Sequence, residues 1–255
     1  MRYIYSCQTD VGAVRENNQD SLVVKSLNLG KHMVVFAAVC DGVGGLSHGE
    51  RASRTSVEML SSWFDYELPQ ILEQSPAEPV LRYRFRQLLS EINREIYNGN
   101  LRSGVSSATT LTALLLWDYH YLAGHVGDSR IYKIDYDVQQ LTRDHSWVAQ
   151  EVAMGRMTAH QAAIDTRQNI ILKCMGAEPE VEPDVFEGRI REKTVFVLCT
   201  DGFWHHVDAR EWIRQFSPAV IKEEKHLAEN LYFMAEQVKQ RGESDNITAI
   251  AIDVF

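Results

Sequence analysis

The acids of this chain gather where apolar strands end. The run MVVFAAVC (Met33 to Cys40) is followed by Asp41-Gly42, and TVFVLCT (Thr194 to Thr200) by Asp201-Gly202. The segment 120–126 leads into Gly127-Asp128-Ser129-Arg130, and ITAIAIDVF (Ile247 to Phe255) is preceded by Ser244-Asp245-Asn246. A single Asp-Gly pair is an ordinary turn signal. Four acids at strand ends imply more. If those ends converge, the like charges repel unless cations neutralise them. Oxygen ligands without interleaved His or Cys suit Mg²⁺ or Mn²⁺ rather than Zn²⁺. Glycine beside the acids lets the backbone approach closely, so a glycine carbonyl is a further candidate ligand.

The polar segment TDVGAVRENNQD (Thr9 to Asp20) adds a cation, Arg15, just before a strand. An arginine beside an acidic metal cluster suits an oxyanion that bridges the two, because guanidinium grips phosphate through parallel donors. The bland alternative is a surface pair of Arg15 with Asp10 or Glu16. Other nucleophiles are excluded by spacing. Cys7, Cys40, Cys174 and Cys199 form no CxxC pair, and none has an arginine six residues on. Asp135-x-Asp137 is followed by Gln139, where a haloacid-dehalogenase nucleophile motif needs Thr or Val. No GxxxxGK[ST] phosphate loop occurs. The cysteines read as reduced core thiols of a cytosolic protein.

The elements that must hold these residues follow from periodicity. Residues 2–9, 21–27, 33–40, 181–190, 194–200 and 247–255 read as strands, and 105–117, 120–126 and 129–135 as a three-stranded meander. Helical spacing of apolar residues predicts helices over 48–66 and 78–98, one from Asp208 as N-cap to Phe216, and a last one through Leu227, Leu231, Met234 and Val238. Trp147 to Ile164 is helical in composition, with Gly155 in its middle. Strands, two helices, many strands, helices and a strand make an α+β order with antiparallel sheets, not an alternating βαβ chain. The only linker candidate, Glu73 to Pro79, is short, so the chain reads as one domain over 1–255. Of 255 residues 45% are hydrophobic, enough for a single core, and the net charge of −9 excludes a basic nucleic-acid face or a polybasic membrane anchor. No apolar run is long enough to span a membrane.

Six motifs stand in order: Asp10-x-Gly12-x-x-Arg15-x-x-x-Gln19-Asp20, Asp41-Gly42-x-Gly44-Gly45, Gly127-Asp128-Ser129-Arg130, Leu141-Thr142-x-Asp144-His145-Ser146, Thr200-Asp201-Gly202 and Asp245-Asn246. Together, from about Ser6 to Val254, they resemble the metal-dependent protein phosphatases of the PP2C (PPM) family in its compact bacterial form. The resemblance implies an αββα sandwich of two central antiparallel sheets flanked by pairs of helices. It implies a serine/threonine phosphatase that hydrolyses phosphoproteins by direct attack of a metal-bridging water. It also implies two Mn²⁺ or Mg²⁺ ions held by Asp41, which bridges them, the Gly42 carbonyl, Asp201 and Asp245, with Asp20 ligating or ordering metal-bound water. A third, weaker ion falls to Asp128 and Asp201, and Arg15 binds phosphate. The stretch 148–176 resembles the family's flap beside the active site.

Two positions depart from the family pattern. Gln19 stands where many members have Glu, and Val43 where some have a histidine proposed as general acid. The expected partners are phosphorylated protein substrates and a cognate Ser/Thr kinase of bacterial signalling, with no nucleic acid, for a cytoplasmic monomer. Two rivals remain open. A pseudophosphatase that only holds a partner predicts eroded metal acids, whereas all five are present. A hydrolase of small phosphate esters is separable only by activity on phosphopeptides against sugar phosphates.

Overall fold

The computed structural model describes residues 1–30, 32–43, 48–73, 77–191 and 193–255. The motif glycines Gly44 and Gly45, and 74–76 of the expected linker, lie outside the described residues. The elements run β1 (Tyr3–Asp10), β2 (Ser21–Leu29), β3 (His32–Cys40), α1 (Gly49–Tyr66), α2 (Leu68–Leu72), α3 (Ala77–Ser103), β4 (Leu111–Trp117), β5 (His120–Val126), β6 (Arg130–Ile134), β7 (Val138–Gln140), α4 (Trp147–Ala153), α5 (Ala159–Ala162), β8 (Asp184–Arg189), β9 (Thr194–Cys199), α6 (Asp201–Trp204), α7 (Ala209–Phe216), α8 (Glu224–Gln240) and β10 (Ile247–Val254).

The strands form two five-stranded antiparallel sheets, ordered β1-β10-β9-β6-β7 and β2-β3-β4-β5-β8. Their layering follows from the period of two along each strand. On β3, Val34, Phe36, Ala38 and Cys40 pack with α1, α2 and α3, while Val35, Ala37 and Val39 face the other sheet. On β10, Ile247, Ala249 and Ala251 pack with α7 and α8, while Ile250, Ile252 and Val254 point between the sheets. Strands covered on both faces read as continuous apolar runs, which is why the sequence shows them so plainly. The helices bury one stripe each: Ala52, Ser56, Leu60, Trp63 and Phe64 on α1, and Leu227, Leu231, Met234, Ala235 and Val238 on α8. Phe36 meets Trp63 and Phe85 edge-on at 6.1 and 6.5 Å, so its truncation to alanine would cost about 3–5 kcal/mol. The result is the expected α+β, αββα sandwich.

Register carries the candidate acids to one end of it. Val39 on β3 pairs with Thr112 at the start of β4, and Leu111 with Val126 at the end of β5. In the other sheet Cys199, the last residue of β9, pairs with both Ala249 and Arg130, near the starts of β10 and β6. Asp10, ending β1, pairs with Ile247. The strand ends before or after Asp20, Asp41, Asp128, Asp201 and Asp245 therefore crowd a single edge of both sheets.

Three expectations are corrected. The meander is broken: β4 and β5 form a hairpin, but β6 pairs with β9 and β7 in the opposite sheet. Gly127, at φ 114, turns the chain out between the sheets, a conformation that costs glycine least. The helix over 147–164 is two short ones, because Thr158 and Gln161 form a capping box that starts α5 afresh. Nor are all the cysteines core thiols: Cys40 and Cys199 are buried, Cys7 is exposed and Cys174 half-buried.

Candidate metal centre

Asp41 leaves β3 with its backbone fixed from the neighbouring strand. Its N–H donates to Thr110 Oγ1 at 2.9 Å, and its carbonyl accepts from the Thr109 hydroxyl and the Thr110 N–H, each at 2.8 Å. The next residue must be glycine, since a Cβ on Gly42 would stand 2.5 Å from the carbonyl carbon of Gly49 at the start of α1. Asp201 opens α6 straight after β9, and Asp20 directly precedes β2. The carboxylates of Asp20, Asp41, Asp201 and Asp245 lie within electrostatic reach of one another, and Asp128 acts on Asp41 as well.

These acids are poorly satisfied as anions. Oδ1 of Asp20, of Asp128 and of Asp201 is buried without a hydrogen-bond partner. Burial, helped by the neighbouring carboxylates, pushes Asp20 up to about 7 and Asp128 up to about 8. The same causes raise Asp41 well above the carboxylate range. Burial also raises Asp201, although His205 works against it. An unpaired buried acid oxygen is costly, so three around one basin call for divalent cations. The oxygen-only donor set fits Mn²⁺ or Mg²⁺. Among the described residues, no three His, Cys, Asp or Glu side chains already stand as a finished metal cage. Within the basin the Asp41 and Asp201 side chains are in hydrogen-bond contact, while Asp245 is turned to Arg15.

Arg15 pairs with neither Asp10 nor Glu16. Its Nε and Nη2 donate to Asp245 Oδ1 and Oδ2 at 3.0 and 2.8 Å, and the fields of Asp41 and Asp201 reach it too. Asp10 is taken by Lys239 at 2.8 Å. The loop that carries Arg15 is stitched down by Asn246. Its amide donates to the carbonyls of Val11 and Asn17 at 2.8 and 3.0 Å, and its oxygen accepts from the Gln19 N–H at 2.8 Å. The Gln19 side chain turns to Glu50 at 3.3 Å.

The Asp128 turn is bound to the segment that leads into α4. The Gly127 N–H donates to His145 Nδ1 at 3.1 Å, and the His145 N–H donates to the Gly127 carbonyl at 2.7 Å. The His145 carbonyl accepts from Leu172 N–H at 2.7 Å, which ties in the far end of the 148–176 stretch. Trp204 Nε1 donates to the Asp128 carbonyl at 3.2 Å, and its ring lies under the Arg130 guanidinium. Val43 donates its N–H to the Ala108 carbonyl and brings no proton donor by its side chain. His160 is exposed.

Sequence reasoning singled out the acids and Arg15 but missed several of their supports. Asn246 carries a signal, as a member of the Asp245-Asn246 motif; Thr109 and Thr110, far in sequence from every motif acid, have none. Glu50, His205 and Glu243 had none. Glu243 accepts from the N–H groups of Ser244 and Asp245 at 2.7 and 2.9 Å and stands 3.7 Å from His205. Burial disfavours charge on His205, but Glu243 and the nearby Asp201 outweigh it and raise its pKa.

Known proteins share this fold and much of this sequence. Residues 11–241 match the family model described as Protein phosphatase 2C. The serine/threonine phosphatase Stp of Listeria innocua is 30% identical over 249 residues, covering 96% of this chain and 94% of its own. The crystal structure of the serine/threonine phosphatase Stp1 from Staphylococcus aureus superposes with a TM-score of 0.83 at 28% identity, covering 100% of this chain and 96% of that one. The catalytic domain of the serine/threonine protein phosphatase PstP, solved with two manganese ions, gives 0.78 at 27% identity over 99% and 98% of the two chains.

Proposed function

The chain belongs to the protein phosphatase 2C family, and from that premise we propose how its site works as a serine/threonine protein phosphatase that depends on divalent metal. The observation that carries the reading is the basin of buried acids, three with an unpartnered oxygen, faced by one bidentate arginine. Asp41, the Gly42 carbonyl, Asp201 and Asp245 would hold two ions, with Asp20 as ligand or anchor of their water. Asp128 with Asp201 would hold a third, weaker ion. Such ions supply Lewis acidity toward the phosphate and an activated water as nucleophile.

The chain's own residues supply the rest. Arg15 offers Nε and Nη2, the two donors now on Asp245, to a pair of nonbridging phosphate oxygens, which fixes the phosphorus for in-line attack. Asp20, accepting from the Thr200 hydroxyl at 3.0 Å, keeps one lone-pair face toward the basin. None of the four thiols is a ready thiolate nucleophile: burial raises the pKa of Cys7, Cys40 and Cys199, and pushes Cys174 up to about 11. With Val43 in place of a side-chain acid, we propose that water ordered in the metal basin, at the paired ions or near Asp128, supplies the proton for the departing serine or threonine oxygen.

The same reading makes 1–255 a single phosphatase domain whose flap is the 148–176 stretch, acting as a cytoplasmic monomer opposite a Ser/Thr kinase. The family match over residues 11–241 supports the single domain, and the names of the relatives support the phosphatase. No helix among the described residues is long and apolar enough to cross a membrane. The test is hydrolysis of a phosphothreonine peptide by EDTA-treated protein, with and without added Mn²⁺. Turnover is expected only with the metal; undiminished turnover in excess EDTA would overturn the reading.

A further inference from the structure

Between the flap and α6 lies a groove of about 640 Å³. Its floor is Trp204, with the Arg130 guanidinium 3.2 Å above the ring centroid. Asp144 grips that guanidinium at 2.6 Å and Tyr132 OH accepts from it at 2.9 Å, so the floor presents no free charge. The flap side is small and apolar: Val148 and Val152 from α4, and Ala162 and Ala163 at the end of α5. The alanines leave the room that makes this a groove rather than a packed seam. One end of it reaches Asp128, a wall residue shared with the candidate metal centre.

We propose that this groove receives a large apolar side chain of the phosphoprotein substrate, two to four residues from the phosphorylated serine or threonine. The proposal rests on the phosphatase reading above. Continuity with the reaction centre through Asp128 places the groove along the path of a bound peptide. An extended peptide advances about 3.3 Å per residue, so two to four residues span about 7–13 Å. Asp128, Arg143 and His205 also line the groove, but the side formed by Val148, Val152, Ala162 and Ala163 over the stacked aromatic floor rewards an apolar occupant and leaves a polar one with lost water contacts. Discrimination by such a pocket is worth about tenfold or more in kcat/KM.

The experiment scans phosphothreonine peptides in which leucine or glutamine occupies each position from the fourth before to the fourth after the phosphoresidue. The expected profile shows leucine ahead of glutamine by about tenfold at one or two neighbouring positions on one side only. Ala162→Leu, which fills the groove, should flatten that preference. Val152→Asp should turn it toward lysine at the same position. A flat wild-type profile overturns the proposal and leaves the groove to some other ligand; so does a preference that survives both substitutions. Wild-type turnover of p-nitrophenyl phosphate separates the two readings. Metal-dependent turnover with a flat peptide profile removes the groove alone, whereas no metal-dependent turnover of any phosphoester removes the phosphatase reading beneath it.

Discussion

Arg15→Gln should bind Mn²⁺ more tightly than the wild-type protein while handling phosphopeptide less well. Both oxygens of Asp245 are occupied by Arg15, at 3.0 and 2.8 Å. Asp245 cannot turn to a metal ion without giving up that pair. The pair is bidentate, which strengthens it. It is also open to water, with the side chains 41% and 31% exposed, which weakens it. The balance puts its worth at about 1 kcal/mol, the upper end for exposed ion pairs. Removing it should raise affinity about fivefold, since 1.4 kcal/mol is a factor of ten. Glutamine keeps a long side chain with an amide donor but loses the charge and the fork. The assay is calorimetric titration of metal-stripped protein with Mn²⁺ and no substrate, so the readout does not pass through activity. Arg82→Gln, which breaks an exposed pair between α3 and Glu187 of β8 in the other sheet, is the control and should change nothing. Reciprocity adds a second measurement: metal that releases Arg15 must raise the affinity for inorganic phosphate. Unchanged or weaker Mn²⁺ binding in Arg15→Gln would refute the reasoning, because Asp245 would then not be drawn to the metal at the expense of Arg15.

Asp41→Asn and Asp201→Asn should each lower kcat by about 10³-fold or more, since both take charge from the basin that activates the nucleophile; steady-state turnover with a phosphopeptide checks it, and a loss under tenfold would contradict their placement. Asp128→Ala should harm phosphopeptide hydrolysis more than that of p-nitrophenyl phosphate, because only the poor leaving group needs a proton, help worth about 10²–10⁴-fold. A plot of log kcat against leaving-group pKa should steepen in the variant, and equal slopes would deny Asp128 that part. Asp253→Asn should stabilise the fold at pH 8 and leave it unchanged near pH 4. Burial pushes Asp253 up to about 6 from an ordinary value of 3.8, with Lys222 opposing, and its Oδ1 has no partner. Below about 4 the acid is protonated folded or unfolded, and as pH rises to 6 the unfolded chain ionises first, so stability is lost across that window. The full penalty is at most about 3 kcal/mol. With the burial of the new amide set against it, a gain of about 1–2 kcal/mol, or a few degrees in Tm, is the expected result of thermal melts at the two pH values.

What the sequence could and could not reveal follows from how each feature is encoded. β3 and β10 were legible because both faces of each are buried, and the acid that ends a run of apolar residues stands out against it. The pairing of β6 was not, because a strand's sheet is chosen by a turn, and Gly127-Asp128-Ser129 looks the same whether the chain folds back or crosses over. α4 and α5 read as one helix for a related reason: Thr158 is a cap only if a helix begins there, and composition on either side of Gly155 is equally helical. The centre divides along the same line. Asp41, Asp128, Asp201 and Asp245 are legible as a set because charge at strand ends is rare enough to be noticed, whereas Asp20 enters only through the family resemblance. Arg15 was visible as a type, but its partner was not, since Asp245 lies 230 positions away and only the β1–β10 register brings the two loops together. That contact changes the chemistry expected of the site. An arginine read from sequence alone is a free phosphate binder; in the fold it first occupies both oxygens of Asp245, and the proposed assignment of Asp245 to the metal would link binding of metal and binding of substrate through one side chain.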